Sequence, residues 1–127
     1  MRSTLDLADL SSVRTFVDRF VGERPRLDLL VNNAGVMALP RRETTVDGFE
    51  RQFGTNHLGH FALTGLLWPA LRRSPAARVV TVSSLMAWTA RLDLDDLQSE
   101  RGYRPMSAYS RTKLANLLFM LELVRRA

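Results

Sequence analysis

A tyrosine and a lysine stand four residues apart in the segment Tyr109-Ser110-Arg111-Thr112-Lys113. The chain has 18 basic residues, and Lys113 is the only lysine among them. On a helix, positions i and i+4 share one face, so the phenol of Tyr109 and the ammonium of Lys113 would lie side by side. The spacing predicts a paired phenol and ammonium, although a surface helix with two chance neighbours would show the same spacing.

Such a pair is suited to proton transfer. A phenol with an ordinary pKa of about 10 is ionised in only about one molecule per thousand at pH 7, which makes it a weak acid or base catalyst. A unit charge about 4 Å away, at an effective dielectric near 20, contributes about 4 kcal/mol and favours the phenolate by about a thousandfold. An ammonium also has three donors, so that it can bind sugar hydroxyls while it faces the phenolate.

Length and composition limit the classes of protein. The chain has 127 residues, of which 46% are hydrophobic and 24% charged, as is typical of one globular domain or a piece of one. It has no cysteine, which excludes disulfide frameworks and cysteine-based metal sites and fits a cytoplasmic location. The apolar runs at 61–71 and 114–121 are too short for a membrane span, so we expect none.

The net charge of +5 raises the question of nucleic-acid binding. The arginines are scattered in short pairs and do not form a basic patch with aromatic residues, so we expect no nucleic-acid partner. His57 and His60 share a helix face, but no third ligand accompanies them. The acidic stretch from Asp93 to Asp96 lacks the spacing of a calcium loop. We therefore expect no metal site.

The apolar pattern alternates between helical and strand-like segments, which predicts an α/β fold. The expected elements are three helices and two short buried strands, at 10–21, 47–71 and 108–126 and at 27–31 and 78–83. Ser11 or Ser12 is available to cap the first helix. Glycines at 54, 59 and 65 are expected to kink or interrupt the second.

Alternating strands and helices imply parallel strands joined by right-handed crossovers. The turn at Asn33 and the serine pair that ends in Ser84 would then share the carboxyl edge of the sheet, where the ligand sites of open α/β sheets gather. The last helix returns to that edge with Tyr109 at its beginning. We therefore expect Asn33, Ser84, Tyr109 and Lys113 to converge.

Four segments of the chain, in this order, resemble the short-chain dehydrogenase/reductase family. They are Asn32-Asn33-Ala34-Gly35, Asn56-His57-Leu58-Gly59-His60-Phe61, Val82-Ser83-Ser84 and Tyr109-Ser110-Arg111-Thr112-Lys113. Together with residues 6–7 and 96–100, they are similar to the retinol dehydrogenase-like branch. The resemblance covers essentially the whole chain. It implies one partial domain over 1–127, with the central and catalytic part of a doubly wound, Rossmann-like parallel sheet.

The resemblance also implies an activity, namely an NAD(P)-dependent oxidoreductase that interconverts alcohols with ketones or aldehydes. Tyr109 would exchange a proton with the substrate oxygen, and Ser84 would hydrogen-bond the same oxygen. Lys113 would support the phenolate and hold the nicotinamide ribose. Asn56 would support a water relay to Lys113.

Two further segments would lie against the cofactor if the resemblance holds. Asp6 and Leu7 would lie beside the adenine. Asn33, Ala34 and Gly35 would line the cofactor and brace the sheet. The cofactor would be NAD or NADP, and the branch favours NADP slightly.

A dinucleotide pyrophosphate binds at a glycine-rich turn that precedes a helix. No two of the seven glycines stand two positions apart, so the chain contains no such turn. We therefore expect a truncated form, without the N-terminal glycine-rich motif and the C-terminal part of the family, that is inactive alone. The alternative is a non-catalytic interaction fragment that forms a homodimer through the helices at 47–71 and 108–126.

Overall fold

The computed structural model describes residues 3–127. Its elements, in chain order, are α1 (Leu10–Glu23), β1 (Leu29–Asn32), α2 (Arg51–Phe53), a π-helical turn (Gly54–Leu58), α3 (Gly59–Arg72), β2 (Arg78–Thr81), a 3₁₀ helix (Leu85–Thr89) and α4 (Pro105–Arg126). The predicted α/β alternation is confirmed.

The strands β1 and β2 form a parallel two-stranded sheet. Leu29 is paired with Arg78 at one end and Asn32 with Thr81 at the other. Beyond the last pair, the backbone N–H of Val82 donates to the carbonyl of Asn32 at 3.0 Å. Both strands therefore end at the same edge, and the segments that follow them begin there.

The core lies on one side of this sheet, between β1 and the helices α1 and α3. It consists of buried apolar side chains from these elements and from the segment before α1, namely Leu7, Val13, Val17, Leu30, Leu63, Leu67 and Leu71. The side chains that alternate with Leu30 and Val79 point to the opposite face. That face is exposed and carries Leu29, Val31, Val80 and Val82.

The start of α1 differs from the prediction in its cap. Asp9 occupies the N-cap position, and its side chain accepts hydrogen bonds from the backbone N–H groups of Ser11 and Ser12. The carboxylate therefore satisfies amides that the helix itself leaves without a partner. The two serines, which were expected to supply the cap, lie inside the helix.

The helix predicted over 47–71, with an interruption at its glycines, is wrong in its first turn. Thr44 and Glu50 form an isolated antiparallel bridge, so residues 47–50 belong to a turn and the helix begins at Arg51. The interruption expected at the glycines is present as the π-helical turn. At its end, Gly59 allows close packing, because a Cβ there would lie 2.5 Å from the carbonyl oxygen of Leu7.

The helix α4 begins at Pro105, three residues before the predicted start. Proline suits the first helical turn because its φ is already helical and its missing N–H would have no partner there. The strands are also shifted, since Asn32, which was predicted in a turn, closes β1, and β2 ends at Thr81. Among residues 3–127, no helix combines the length and the apolar character that crossing a membrane requires.

Candidate active site

The segment that follows β2 is hydrogen-bonded to α4. Lys113 Nζ donates to the carbonyl of Val82 at 3.5 Å, and Asn116 Nδ2 donates to the same oxygen at 3.4 Å. Ser83 Oγ donates to the carbonyl of Lys113 at 2.9 Å. These three bonds hold the strand end that leads into Ser84 against the first half of α4. The sequence pattern did not single out Ser83 or Asn116 for this task.

Tyr109 and Lys113 lie together on α4. Lys113 Nζ is 5.4 Å from the centroid of the Tyr109 ring. The lysine is only 5% exposed, and burial lowers the pKa of its ammonium below the ordinary value. Within residues 3–127, the one acceptor within hydrogen-bonding distance of this ammonium is the Val82 carbonyl, which leaves donors for a ligand.

Ser84 lies between β2 and the 3₁₀ helix and caps that helix. Its Oγ accepts a hydrogen bond from the backbone N–H of Met86 at 3.2 Å. A hydroxyl that accepts in this way keeps its own proton for donation to a substrate oxygen. The next residues present apolar side chains to solvent, with Leu85 84% and Trp88 88% exposed.

Asn56 is fully buried in the π-helical turn and holds the loop that follows β1. Its Oδ1 accepts from the backbone N–H of Val36 and its Nδ2 donates to the carbonyl of Val36, both at 2.8 Å. The same Nδ2 donates to Thr112 Oγ1 on α4 at 3.3 Å. A Cβ at Gly35 would lie 2.9 Å from Asn56 Oδ1, so glycine allows this close approach. One amide thus joins three segments.

The two asparagines at the end of β1 lie in different environments, one buried and one exposed. Asn32 is buried, and its Nδ2 donates to Thr64 Oγ1 on α3 at 3.0 Å and to Thr81 Oγ1 on β2 at 3.4 Å. Asn32 therefore braces the sheet against α3. Asn33 and the following Ala34 and Gly35 are exposed at the carboxyl edge.

The two residues predicted beside an adenine have different environments. Asp6 is exposed, and its Oδ1 accepts from the backbone N–H of Ala8 at 2.9 Å. Leu7 is buried in the core, with its carbonyl next to Gly59. No hydrogen bond described for residues 3–127 links Asp6 or Leu7 to Tyr109, Lys113 or Ser84.

The two histidines pack behind this region. His60 Nδ1 lies 3.0 Å from the carbonyl oxygen of Asn56, and His57 Nδ1 lies 3.1 Å from Asn116 Oδ1. Burial lowers the pKa of both rings below the ordinary value, and for His60 the charge of Lys113 lowers it further. Within the described part of the chain, no group of three or more His, Asp or Glu side chains is placed to hold a metal ion.

Comparison with protein families and known sequences gives consistent matches. A family model described as short chain dehydrogenase matches residues 1–126. Retinol dehydrogenase 14 from Homo sapiens is 52% identical over 122 residues, covering 96% of this chain and 36% of that protein. Polyprenol dehydrogenase from Homo sapiens is 50% identical over 124 residues, covering 94% of this chain and 37% of that protein. The chain thus spans little more than a third of these relatives.

Solved structures match over the same region. An uncharacterised protein from Mycobacterium paratuberculosis superposes with a TM-score of 0.86 and 56% identity, over 96% of this chain and 42% of that one. RhlG from Pseudomonas aeruginosa, solved as an NADP active-site complex, superposes with a TM-score of 0.70 and 25% identity, over 96% of this chain and 45% of that one. Both matches include nearly the whole of this chain.

Proposed function

Because the chain belongs to the short chain dehydrogenase family, we propose that it carries the proton-transfer part of an NAD(P)-dependent oxidoreductase that interconverts alcohols and carbonyl compounds. The observation that carries this proposal is the buried Lys113 ammonium beside the Tyr109 ring, with a single backbone acceptor among residues 3–127. A phenol placed beside a buried ammonium is suited to exchanging a proton with an alcohol or carbonyl oxygen.

The chain's own residues would handle the proton and the reacting oxygen. In alcohol oxidation, Tyr109 accepts the hydroxyl proton, and Ser84 donates a hydrogen bond to the same oxygen as charge develops on it. In carbonyl reduction, Tyr109 returns the proton. A bound nicotinamide cofactor supplies the hydride acceptor or donor. Lys113 compensates the phenolate charge in both directions.

A nicotinamide cofactor fits these residues at two points. Lys113 keeps donors that suit the hydroxyls of the nicotinamide ribose. The exposed turn Asn33 to Gly35 has small side chains after its asparagine, and Asn56 holds it in place through Val36. We assign contact with the adenine of the cofactor to Asp6 and Leu7, and support of a water relay to Asn56. We favour NADP over NAD, as the RhlG complex contains NADP.

We propose an apolar alcohol or aldehyde as the substrate class. Two relatives are named for retinol and polyprenol, which are alcohols with long apolar chains. The exposed Leu85 and Trp88, directly after Ser84, offer apolar surface to such a chain. The cytoplasmic location stays a prediction from composition.

Turnover of decanal tests the proposal. Because the chain has no glycine-rich turn for the pyrophosphate, we expect it to be inactive at micromolar NADPH. We propose that millimolar NADPH compensates for the missing turn and allows slow turnover, which is measured as loss of NADPH absorbance. Tyr109→Phe is expected to abolish it. Thr15→Val, which removes an exposed hydroxyl from α1, is the control and should retain turnover. Equal rates for wild type and Tyr109→Phe would contradict the assignment.

The second candidate is a non-catalytic fragment that pairs through the helices at 47–71 and 108–126. Its supporting observation is a strip of exposed apolar side chains on α3 and α4, namely Phe61, Leu66, Leu117, Leu118, Leu121 and Val124. The rings of Phe61 and Phe119 also pack across the two helices, with centroids 5.4 Å apart. An apolar strip of this kind is typical of a protein interface.

Sedimentation combined with cofactor titration separates the two candidates. A stable dimer without measurable NADPH affinity supports the interaction fragment, whereas a monomer that binds NADPH contradicts it. Leu121→Glu should convert the dimer to a monomer. Leu85→Glu, at an exposed leucine outside the strip, should leave the dimer intact.

A further inference from the structure

The segment between the 3₁₀ helix and α4, residues 90–104, contains turns but no regular helix or strand. The 3₁₀ helix that Ser84 caps leads into this loop, and the loop leads into α4, which carries Tyr109, so both ends of the loop are joined to elements that carry groups proposed to contact the reacting oxygen. A loop without a repeating backbone pattern takes its position from hydrogen bonds to other elements. The side-chain hydrogen bonds described between α4 and this loop all come from Arg111.

Arg111 stands on α4 two residues after Tyr109, and its guanidinium reaches the beginning and the middle of the loop. Its Nη1 donates to Ser99 Oγ at 2.8 Å, to the Asp96 carbonyl at 3.0 Å and to the Leu97 carbonyl at 3.4 Å, and its Nε donates to the Arg91 carbonyl at 3.4 Å. The planar guanidinium, with donors in fixed directions, can serve several acceptors at once.

The turn that Arg111 holds is closed within itself. Ser99 is buried at 3% exposure with φ at +54°, a conformation that costs energy for a residue other than glycine. Its N–H donates to the Asp96 carbonyl at 3.1 Å. The Asp96 carboxylate accepts from the N–H groups of Glu100 and Arg101, at 2.8 and 3.1 Å. The turn therefore moves as a unit if Arg111 releases it.

Gln98 attaches the same turn to the opposite side. Its Oε1 accepts from the backbone N–H of Glu50 at 2.7 Å, next to the start of α2. Its carbonyl accepts from Arg42 Nε at 3.0 Å. The turn is thus held between α2 and α4, and loss of the Arg111 contacts would free the α4 side while the Gln98 side stays attached.

We propose that Arg111 is a positioning residue, which fixes the loop 90–104 against α4 and so sets the substrate wall beside Ser84 and Tyr109. All four acceptors are carbonyl or hydroxyl oxygens, and Arg111 forms no ion pair within the described residues 3–127. The charge of Arg111 also helps to lower the pKa of the Asp96 carboxyl in the same turn. Lys at this position would keep that charge but lose the planar donor arrangement, so the substitution isolates the geometry of the guanidinium. The role in substrate placement rests on the proposed function.

Hydrogen exchange on the whole 127-residue chain tests the positioning directly. In Arg111→Lys, we expect the amides of Ser99, Glu100 and Arg101 to exchange about tenfold faster than in wild type, because the turn detaches from α4. Arg126→Lys, the same change at the far end of the same helix, should leave these amides unchanged. Unchanged exchange in Arg111→Lys overturns the proposal whether or not the chain is an enzyme.

Substrate affinity tests the consequence for the site. Decanal binding is measured through the fluorescence of Trp88 in a Trp68→Phe background, and we expect it to weaken about tenfold in Arg111→Lys. Any turnover at saturating decanal should stay within about twofold of wild type, since Tyr109 and Lys113 are unchanged. Faster exchange with unchanged affinity, or no decanal binding by the wild-type background, overturns the positioning role. Failure of the Tyr109→Phe test leaves the exchange result standing, so the two proposals can fail separately.

Discussion

Asn56 is a residue that acts through its hydrogen bonds to other segments. Its side-chain amide accepts from the N–H of Val36 and donates to the carbonyl of Val36. Its backbone carbonyl lies 3.0 Å from His60 Nδ1. A buried amide with all its groups paired is a rigid link, since each unpaired group would cost about 1–3 kcal/mol. The loop beside the proposed cofactor position therefore depends on Asn56, in addition to any part that Asn56 has in a relay.

Gly35→Ala is expected to lower the free energy of unfolding by about 1–3 kcal/mol, because the added methyl group would lie against Asn56 Oδ1 and disturb the Val36 bonds. Gly65→Ala is the control, since a Cβ there would meet no atom within 4 Å. Being inside α3, it is expected to raise the free energy of unfolding by about 0.5–1 kcal/mol. Urea denaturation measures both, and an equal gain for Gly35→Ala would disprove the close approach.

The buried histidines predict a loss of stability in mild acid. Both His57 and His60 have a pKa below the ordinary 6.5 in the folded chain. As pH falls below 6.5, the unfolded chain binds protons that the folded chain refuses, so the free energy of unfolding falls until the pH reaches the lowered folded values. Urea midpoints from pH 7.5 to about 5.5 measure this slope. In a double His57→Gln, His60→Gln variant, the urea midpoint should depend less on pH. An equally steep dependence would show that other groups cause the loss of stability.

The break between α2 and α3 matters at the scale of the element. The π-helical turn lies in the middle of what the apolar pattern predicted as one helix, and it contains Asn56. Such turns inside helices occur often at functional sites. The helix is started by Glu50, a buried acid whose two carboxylate oxygens accept from the N–H groups of Gln52 and Phe53, at 2.8 and 2.7 Å.

Glu50→Ala is expected to lower the free energy of unfolding by about 1–2 kcal/mol, because two buried amides at the start of α2 lose their acceptor. Glu50→Gln keeps one acceptor and should cost less. Glu43→Ala is the control, since its exposed pair with Arg51 is 3.9 Å long and should contribute under about 0.5 kcal/mol. Chemical denaturation measures the free energy of unfolding of the three variants. A larger decrease for Glu43→Ala than for Glu50→Ala would contradict the capping role.

At the scale of the whole molecule, the two faces of the sheet differ. One face carries the core with α1 and α3, while Val31 and Val80 on the other are 52% and 46% exposed. Parallel sheets are ordinarily covered on both faces. An exposed, β-branched face of this kind favours association with other apolar surfaces.

Replacing Val31 and Val80 by threonine should therefore lower the binding of a hydrophobic dye and raise the concentration at which the chain aggregates. The melting temperature should change little, because threonine keeps the β-branched shape and the side chains are half in water already. Val13→Thr, in the core at 0% exposure, is the contrasting variant and should lower the melting temperature. Unchanged dye binding in the double variant would show that the dye binds to an apolar surface other than this face of the sheet.

Local features of the sequence predicted a large part of this fold. The stripe on α4 and the apolar runs of β1 and β2 have regular spacing, so the elements were found with ends shifted by a few residues. The cap at Asp9 and the turn at 47–50 were missed because several polar residues near a helix start compete for the cap, and only the packed chain decides among them.

The pairing of Tyr109 with Lys113 was determined by the sequence itself, because helix geometry puts positions i and i+4 on one face. The contacts of Ser83, Gln98 and Arg111 were decided only by the tertiary structure. They join residues that are 30, 48 and 12 positions apart. Serine, glutamine and arginine make such bonds wherever a carbonyl or hydroxyl comes near, so no spacing in the sequence marks them, and they appear only when the packed helices bring their partners within reach.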